Sequence, residues 1–328
     1  MATIREVAAC AGVSTTTVSY ALNRPERVNP ILRARVEEVA RALDYHPDGA
    51  ARTLRTRRSH LVSLIVPDVA NHFYAALARG VHDAMKPRGL HVVLGNTDAI
   101  ADEERYFLRS VGVQCAAGAI IVPFRLDQAA LRRACPTDTP VVVLATSEIA
   151  GDLPSVIADD QGGAHLAVAY LLTAGRRRIA YIGGLPGTPP TERRLRGYLE
   201  AHTEAGIEAD RALITMSDFQ RDGGRQAMRH LLAGPRFDGL FAANDLMAIG
   251  AIQTARRQGV HVPEDIAIIG LDNIDEAEII DPPLTTVNNP SYEAGRAAGE
   301  LLLDLIDGRE GVPRHRVLPC TLIRRESA

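Results

Sequence analysis

Lysine is almost missing from this chain: Lys86 stands alone among 37 basic residues, so positive charge is carried nearly throughout by guanidinium groups. Cys10, Cys115, Cys135 and Cys320 lie far apart with no CxxC, and the ten histidines form no pair at ligand spacing. That argues against a disulfide framework or a metal site and for buried, reduced thiols. No apolar run reaches bilayer-spanning length, and the opening MATIREV does not read as a signal peptide, so a cytoplasmic protein without a membrane partner is expected. Enzyme signatures are missing too. There is no GxxxxGKS/T, HExxH or GxSxG, and Pro-Asp-Val-Ala-Asn at 67–71 stands where a GxGxxG would follow the first strand. The glycine-rich 183–187 lacks phosphate-loop spacing and a lysine, and reads as a turn. No catalytic residues, metal or cofactor are expected.

What remains is an ordinary soluble composition, 46% hydrophobic and 23% charged, over a length of 328 residues that suits two or three domains. The net charge of −3 does not by itself point to nucleic acid, but its distribution does. Residues 1–60 hold ten arginines against six acidic residues, which is +4 and leaves −7 for the other 268. A basic N-terminal domain on an acidic body fits phosphate contact at one end.

That basic end opens with two short helices joined by a tight turn. Thr3 and Glu6 have capping-box spacing, and Ile4, Val7, Ala8 and Ala11 form an apolar face. Gly12 ends the helix in a position that tolerates a left-handed backbone, Val13 plugs the corner, and Ser14 caps a second helix. The second helix turns Val18, Ala21 and Leu22 inward and shows Ser14, Thr15, Thr16, Thr17, Ser19 and Tyr20 outward, without one charge. Serine and threonine are mediocre helix formers, and short neutral hydroxyls suit phosphate oxygens and base edges. The bland alternative is a helical hairpin at the edge of a larger domain. Asn29 then caps a third helix with Pro30 in its first turn, directing Ile31, Val36, Val39, Ala40 and Leu43 at the other two. Asp48 offers a cap for one more short helix over about 49–54, which has almost no core of its own and would be unstable alone, so a flexible linker is its alternative reading.

Residues 2–23, 28–45 and 47–54 closely resemble the N-terminus of the lac repressor (LacI/GalR) family of bacterial transcription regulators, and the similarity continues in order along the whole chain. The resemblance implies a dimer on a palindromic double-stranded operator. Thr15, Thr16 and Tyr20 would meet base edges, while Ser14, Thr17, Ser19, Asn23 and the backbone near Thr3 would hold phosphates. It makes the segment after Asp48 a hinge helix that orders on DNA, with Arg52 within it contacting DNA, Leu54 as the wedge between central base steps, and the basic run 55–58 after it. Two departures matter here. Gly49 replaces the usual alanine and makes the hinge costlier to order, and Tyr20 replaces the usual arginine or lysine, removing the bidentate partner for guanine.

From Leu61 onward, short apolar strands alternate with amphipathic helices. Strands are expected at 61–66, 90–94, 119–122, 141–144 and 156–158, then at 179–182, 213–216, 239–241 and 267–269. Helices are expected at 74–86, 163–174, 193–205, 225–232, 245–258 and 293–306. Two such runs predict two parallel-sheet lobes with a ligand cleft at the strand C-termini. The fold class is therefore an all-α helix-turn-helix headpiece plus an α/β core of the type I periplasmic-binding-protein kind. The division expected is headpiece 1–46 and hinge and linker 47–60. The resemblance implies that the chain crosses back near 286–290, so the N-terminal lobe would be 61–160 with about 290–318, and the C-terminal lobe 161–289 with about 319–328.

By the same resemblance, a small-molecule effector is held by Phe73, Tyr74, Arg194, Phe219, Asn244, Asp272 and Asn289, with Asp245 and Asn273 beside them. Ala145 departs from the family, which often has a side chain there that touches ligand. A sugar-type inducer is the expectation; a purine corepressor, a transport component or an enzyme with a regulatory domain are the rivals. No leucine heptad is found near residue 328, so dimerisation through the lobes, without a tail-mediated tetramer, is expected.

Overall fold

The computed structural model describes residues 2–23, 25–45, 59–145, 147–311 and 313–328. Its contacts divide the chain into two compact units, Met1–Ser59 and His60–Ala328. The hinge residues Gly49, Arg52 and Leu54 lie outside the described residues, as does Thr146.

In the first unit, α1 (Ile4–Ala11), α2 (Thr15–Asn23) and α3 (Pro30–Ala42) close around Val7, Ala11, Val18, Ala21, Val36 and Ala40. Both halves of the Thr3–Glu6 capping box form, and Gly12 takes φ 64°. The Asn29 side chain accepts from the Ile31 N–H to start α3. Ile31 is not inward as the sequence led us to expect: it is 82% exposed. Its place, five residues before Val36, puts it about 140° round the helix from that core residue. The cysteines also differ from expectation. Cys320 alone is buried; Cys115 and Cys135 are half-buried and Cys10 is exposed. Cysteine packs as a small apolar group, and in α1 the core face runs through Val7, Ala8 and Ala11, leaving position 10 outside.

In the second unit the chain runs β1 (Leu61–Val66), α4 (His72–Met85), β2 (His91–Asn96), α5 (Ala101–Val113), β3 (Gly118–Ile121), α6 (Gln128–Ala134) and β4 (Val141–Val143). It continues with α7 (Ser147–Ala150), β5 (Ser155–Ala158), α8 (Asp160–Thr173), β6 (Ile179–Gly183), α9 (Pro189–Glu204) and β7 (Ile214–Met216). Next come α10 (Arg221–Leu232), β8 (Gly239–Ala242), α11 (Asp245–Arg257), β9 (Ala267–Asp272) and α12 (Glu276–Ile279). The last elements are β10 (Thr285–Asn288), α13 (Ser291–Ile306), β11 (His315–Leu318) and β12 (Thr321–Ile323).

The described residues form two six-stranded sheets, ordered β11-β5-β4-β3-β1-β2 and β12-β10-β9-β8-β6-β7. The first is parallel throughout. The second is parallel except for β12, which runs antiparallel to β10. The chain passes between lobes at 158–160, 288–291 and 318–321. Residues 285–288, read from the sequence only as the approach to a crossing, are a full strand of the second sheet. The strands β11 and β12 went unseen because each is short and half exposed, with no continuous apolar run. Each lobe thus repeats one order, with its strand C-termini facing the same gap, where doubly wound sheets take ligands.

Candidate functional site

Two sets of residues gather chemistry, one in each unit. In the first, the Ser14 hydroxyl accepts from the Thr17 N–H at 3.1 Å and lies 2.9 Å from the Thr17 hydroxyl, so both help to start α2 while each hydroxyl keeps a lone pair. Thr15, Thr16 and Tyr20 stand outward, with Tyr20 39% exposed; Thr17 and Ser19 are half-buried. No charged residue occurs within α2. The Thr3 N–H is already given to Glu6 Oε2 at 2.7 Å, so an incoming phosphate would have to displace that carboxylate. Nothing is described of the Asn23 side chain.

The second set lies between the lobes and is built around Arg194. This residue sits in the second turn of α9 and is 5% exposed. Its Nε and Nη2 both donate to Asp160 Oδ1, at 2.9 and 2.7 Å, and Nη1 donates to the Ala243 carbonyl. Asp272 Oδ1 lies 3.5 Å from Nη2. Burial works against the guanidinium charge, but Asp160 and Asp272 more than offset it and raise its pKa. Burial pushes the Asp272 carboxyl well above the usual range; Arg194 opposes this, while Asp245 and Asp160 reinforce it. A buried charge group of this kind is costly unless every member is paired, so it marks a site more than a source of stability.

Around that group the backbone is strained. Phe219, Asp272 and Asn273 take φ of 66°, 128° and 57°, a region that non-glycine residues seldom enter. The Phe219 ring lies against Gly184, where an added Cβ would sit 2.0 Å from it, so the glycine turn after β6 is what admits the ring. Asn244 caps α11 through Met247 N–H and donates to the Phe219 carbonyl at 2.9 Å, which ties loop to helix. Asp245 accepts from the Thr286 hydroxyl and the Ile274 N–H, and burial raises its pKa to about 6.

A cavity of about 200 Å3 is lined from one lobe by Phe73, Tyr74 and Phe124 and from the other by Arg194, Phe219, Asn244 and Asp272. A second, of about 90 Å3, shares Phe73, Tyr74, Phe124 and Arg194 with it and is lined further by Ala145 and Asn289. The structure therefore brings the sequence-derived cleft residues together, with Asn289 set apart in the smaller cavity. Asp245 and Asn273 line neither; Asp245 turns to Thr286 and Ile274, and Asn273 donates to Asn288 and accepts from Arg325. The sequence reading passed over Asp68, Phe124 and Gln220. Gln220 Nε2 donates to Asp68 Oδ2 at 2.7 Å, Arg125 Nη1 to the Pro186 carbonyl at 2.9 Å, and His72 pairs with Glu276, so three contacts bridge the lobes around the cleft. Phe124 follows the C-terminus of β3, so the expectation of a cleft at strand C-termini could have found it; a lone glutamine carries no such signal. Among the described residues no group of His, Cys, Asp and Glu is placed to hold a metal, and no helix is long and apolar enough to cross a membrane.

Comparison with known proteins gives both units the same relatives. Residues 3–48 match the family described as bacterial regulatory proteins, lacI family, and residues 168–328 match the periplasmic binding protein-like domain. The chain is 36% identical over 327 residues to the HTH-type transcriptional repressor CytR of Escherichia coli (strain K12), covering 99% of this chain and 96% of that one. It is similar over its whole length to the transcriptional regulator CelR in complex with cellobiose, at 34% identity and TM-score 0.73, with 100% of both chains covered. The lac repressor dimer bound to operator and the anti-inducer ONPF superposes with TM-score 0.89 at 27% identity, over 99% of this chain and 98% of that one.

Proposed function

Because the chain belongs to the LacI family of bacterial regulatory proteins, we propose that it is a repressor of a catabolic or metabolic operon. It binds a palindromic operator as a homodimer and is controlled by a sugar or sugar-like effector in the cleft. The observation that carries this reading is that one chain holds both a helix with an uncharged, hydroxyl-lined outer face and a lobed unit whose cleft encloses a paired Arg194–Asp160–Asp272 group. Thr15, Thr16 and Tyr20 read base edges, while Ser14, Thr17, Ser19, Asn23 and the Thr3 backbone contact phosphates. Arg52 and Leu54, outside the described residues, belong to the hinge.

In the cleft, Phe73, Tyr74 and Phe219 cover the faces of a ring, and Asn244, Asp272 and Arg194 meet its hydroxyls. Effector binding acts by differential affinity for two lobe arrangements. A hundredfold preference shifts operator affinity by about 2.7 kcal/mol. Fluorescence anisotropy on the promoter regions of this gene and its neighbours tests the proposal, repeated with sugars, sugar phosphates and purines. Salt-sensitive, palindrome-specific binding that a sugar abolishes is the expected result. A response to purines alone would establish corepression in its place, and specific binding that no ligand alters would refute the effector role of the cleft.

A further inference from the structure

Glu104, in the first turn of α5, is fully buried, and its carboxylate is taken up by backbone N–H groups. Its Oε1 accepts from Phe124 at 2.8 Å and from Arg125 at 3.1 Å, and its Oε2 accepts from Leu126 at 3.0 Å. These three successive donors lie beyond the last paired residue of β3, so no neighbouring strand can take them. Unpaired, each would cost about 1–3 kcal/mol. Burial pushes the Glu104 carboxyl above its usual range, and the same N–H groups, with the Arg125 charge, oppose that rise. The side chains of this bend go to different lobes. Leu126 is buried in the first lobe with Ile65, Leu108 and Leu131. Phe124, two residues earlier, belongs to the apolar cluster of the second lobe, with its ring 6.1 Å from that of Phe219. Between them, Arg125 donates through Nη1 to the Pro186 carbonyl of the second lobe and through Nε to the Ala99 carbonyl just before α5. Phe124 and Ala99 both line the larger cavity.

We propose that Glu104 is a positioning residue for the cleft. By holding the N–H groups of residues 124–126, it sets the Phe124 ring as a wall of the larger cavity and Arg125 as a strap to the opposite lobe. A carboxylate is what the place requires. An amide of the same size has one oxygen for three donors and turns its own N–H groups toward the rest. Aspartate, one methylene shorter, keeps the charge and loses the reach. A wall held by the protein itself costs a ligand no ordering. Because wall and strap hang on one carboxylate, the shape of the cavity and the spacing of the lobes move together. The purpose of this device rests on the reading of the cleft as an effector site, whereas its geometry is measured without ligand, so the two can fail separately.

The chain contains no tryptophan, so Phe124→Trp places a sole fluorophore in the cleft wall of the full chain. Adding Glu104→Gln is expected to shift its emission to the red and to raise the acrylamide quenching constant several-fold, under conditions where urea titration shows the chain still folded. Adding Arg125→Ala instead is expected to leave the fluorophore shielded, because the carboxylate still holds the bend. Hydrogen exchange on the unmodified chain covers the case in which Glu104→Gln does not fold. The amides of residues 124–126 are expected to be protected together with those of β3, although they lie in a bend. Exchange at the rate of exposed loop amides would overturn the proposal. So would a Glu104→Gln chain whose urea midpoint falls while the fluorophore stays shielded, since Glu104 would then stabilise the lobe without setting the cleft. Equal unshielding by Arg125→Ala would overturn it as well, giving the role to the guanidinium. If the expected shifts appear and no ligand of any class moves operator affinity, the positioning role of Glu104 stands and the effector reading alone falls.

Discussion

On the proposed reading, Tyr20 is the residue on which operator choice turns. It stands outward on a helix with no charged residue, so the half-site has no guanidinium to clamp a guanine through two bonds. Tyr20→Arg is expected to redirect half-site preference toward guanine at one position, by about 1–3 kcal/mol of discrimination. Binding-site selection on random palindromes measures it, and an unchanged logo would show that position 20 does not face bases. Asp245 sets a different residue-scale property. Burial holds its carboxyl at about 6, above its unfolded value, so the folded state keeps a proton that the unfolded state has released. Its contribution is present below about pH 4, is lost as pH rises to about 6, and is flat above that. Asp245→Asn should remove this part of the fall in urea midpoint between those values, and an identical pH profile would place the titration elsewhere. The sequence could name Asp245 and Asn273 as polar strand-end groups. It could not show that they bond away from the cavity, to Thr286 and to Asn288 and Arg325, because those partners lie far off in sequence.

At the scale of elements, helix pairs are set by glycines at their crossings. A Cβ on Gly295 of α13 would lie 2.1 Å from the Leu77 carbonyl oxygen of α4, and one on Gly80 of α4 would lie 2.1 Å from the Tyr292 oxygen. Replacing a mid-helix glycine ordinarily gains about 1 kcal/mol of helix propensity. Here the obstacle is backbone on both sides, so the clash wins. Gly295→Val is expected to destabilise the second unit by about 1–3 kcal/mol, read as a lower urea midpoint, and a stabilised variant would contradict the close crossing. Element type was legible wherever an apolar run was continuous, as in β1, β6 and β9. It was lost where pairing rather than composition makes the strand, as in β10, β11 and β12. The third helix shows the same limit: its existence was clear from Asn29 and Pro30, while Ile31 points to solvent because a continuous helix cannot turn both positions 31 and 36 inward.

For the whole molecule, the decisive property is how firmly the lobes are held together. Gln220 to Asp68, Arg125 to the Pro186 carbonyl, and His72 to Glu276 span the gap from different elements. Each is an ordinary polar contact worth about 0.5–1.5 kcal/mol, so the closed arrangement is biased and not locked. Gln220→Ala is expected to widen the ligand-free second unit, seen as a larger radius of gyration by small-angle scattering, and to weaken effector binding several-fold. An unchanged scattering curve would show that this bond does not set the lobe angle. The lobed plan was legible from alternation alone; these bridges were not, since they join single polar residues far apart in sequence.

The exchange of the last two strands between lobes also governs the order in which the protein can be made. The first sheet lacks an edge until His315–Leu318 arrives, and the second lacks one until Thr321–Ile323 does. Ser327 then supplies hydrogen bonds that pin β9 to the start of β10, through Ile268 and Thr285. A ribosome releasing this chain would thus have exposed the completed three-helix unit long before either lobe could close. The first unit would be complete early in synthesis, and the two sheets of the second only once residues 315–327 had emerged.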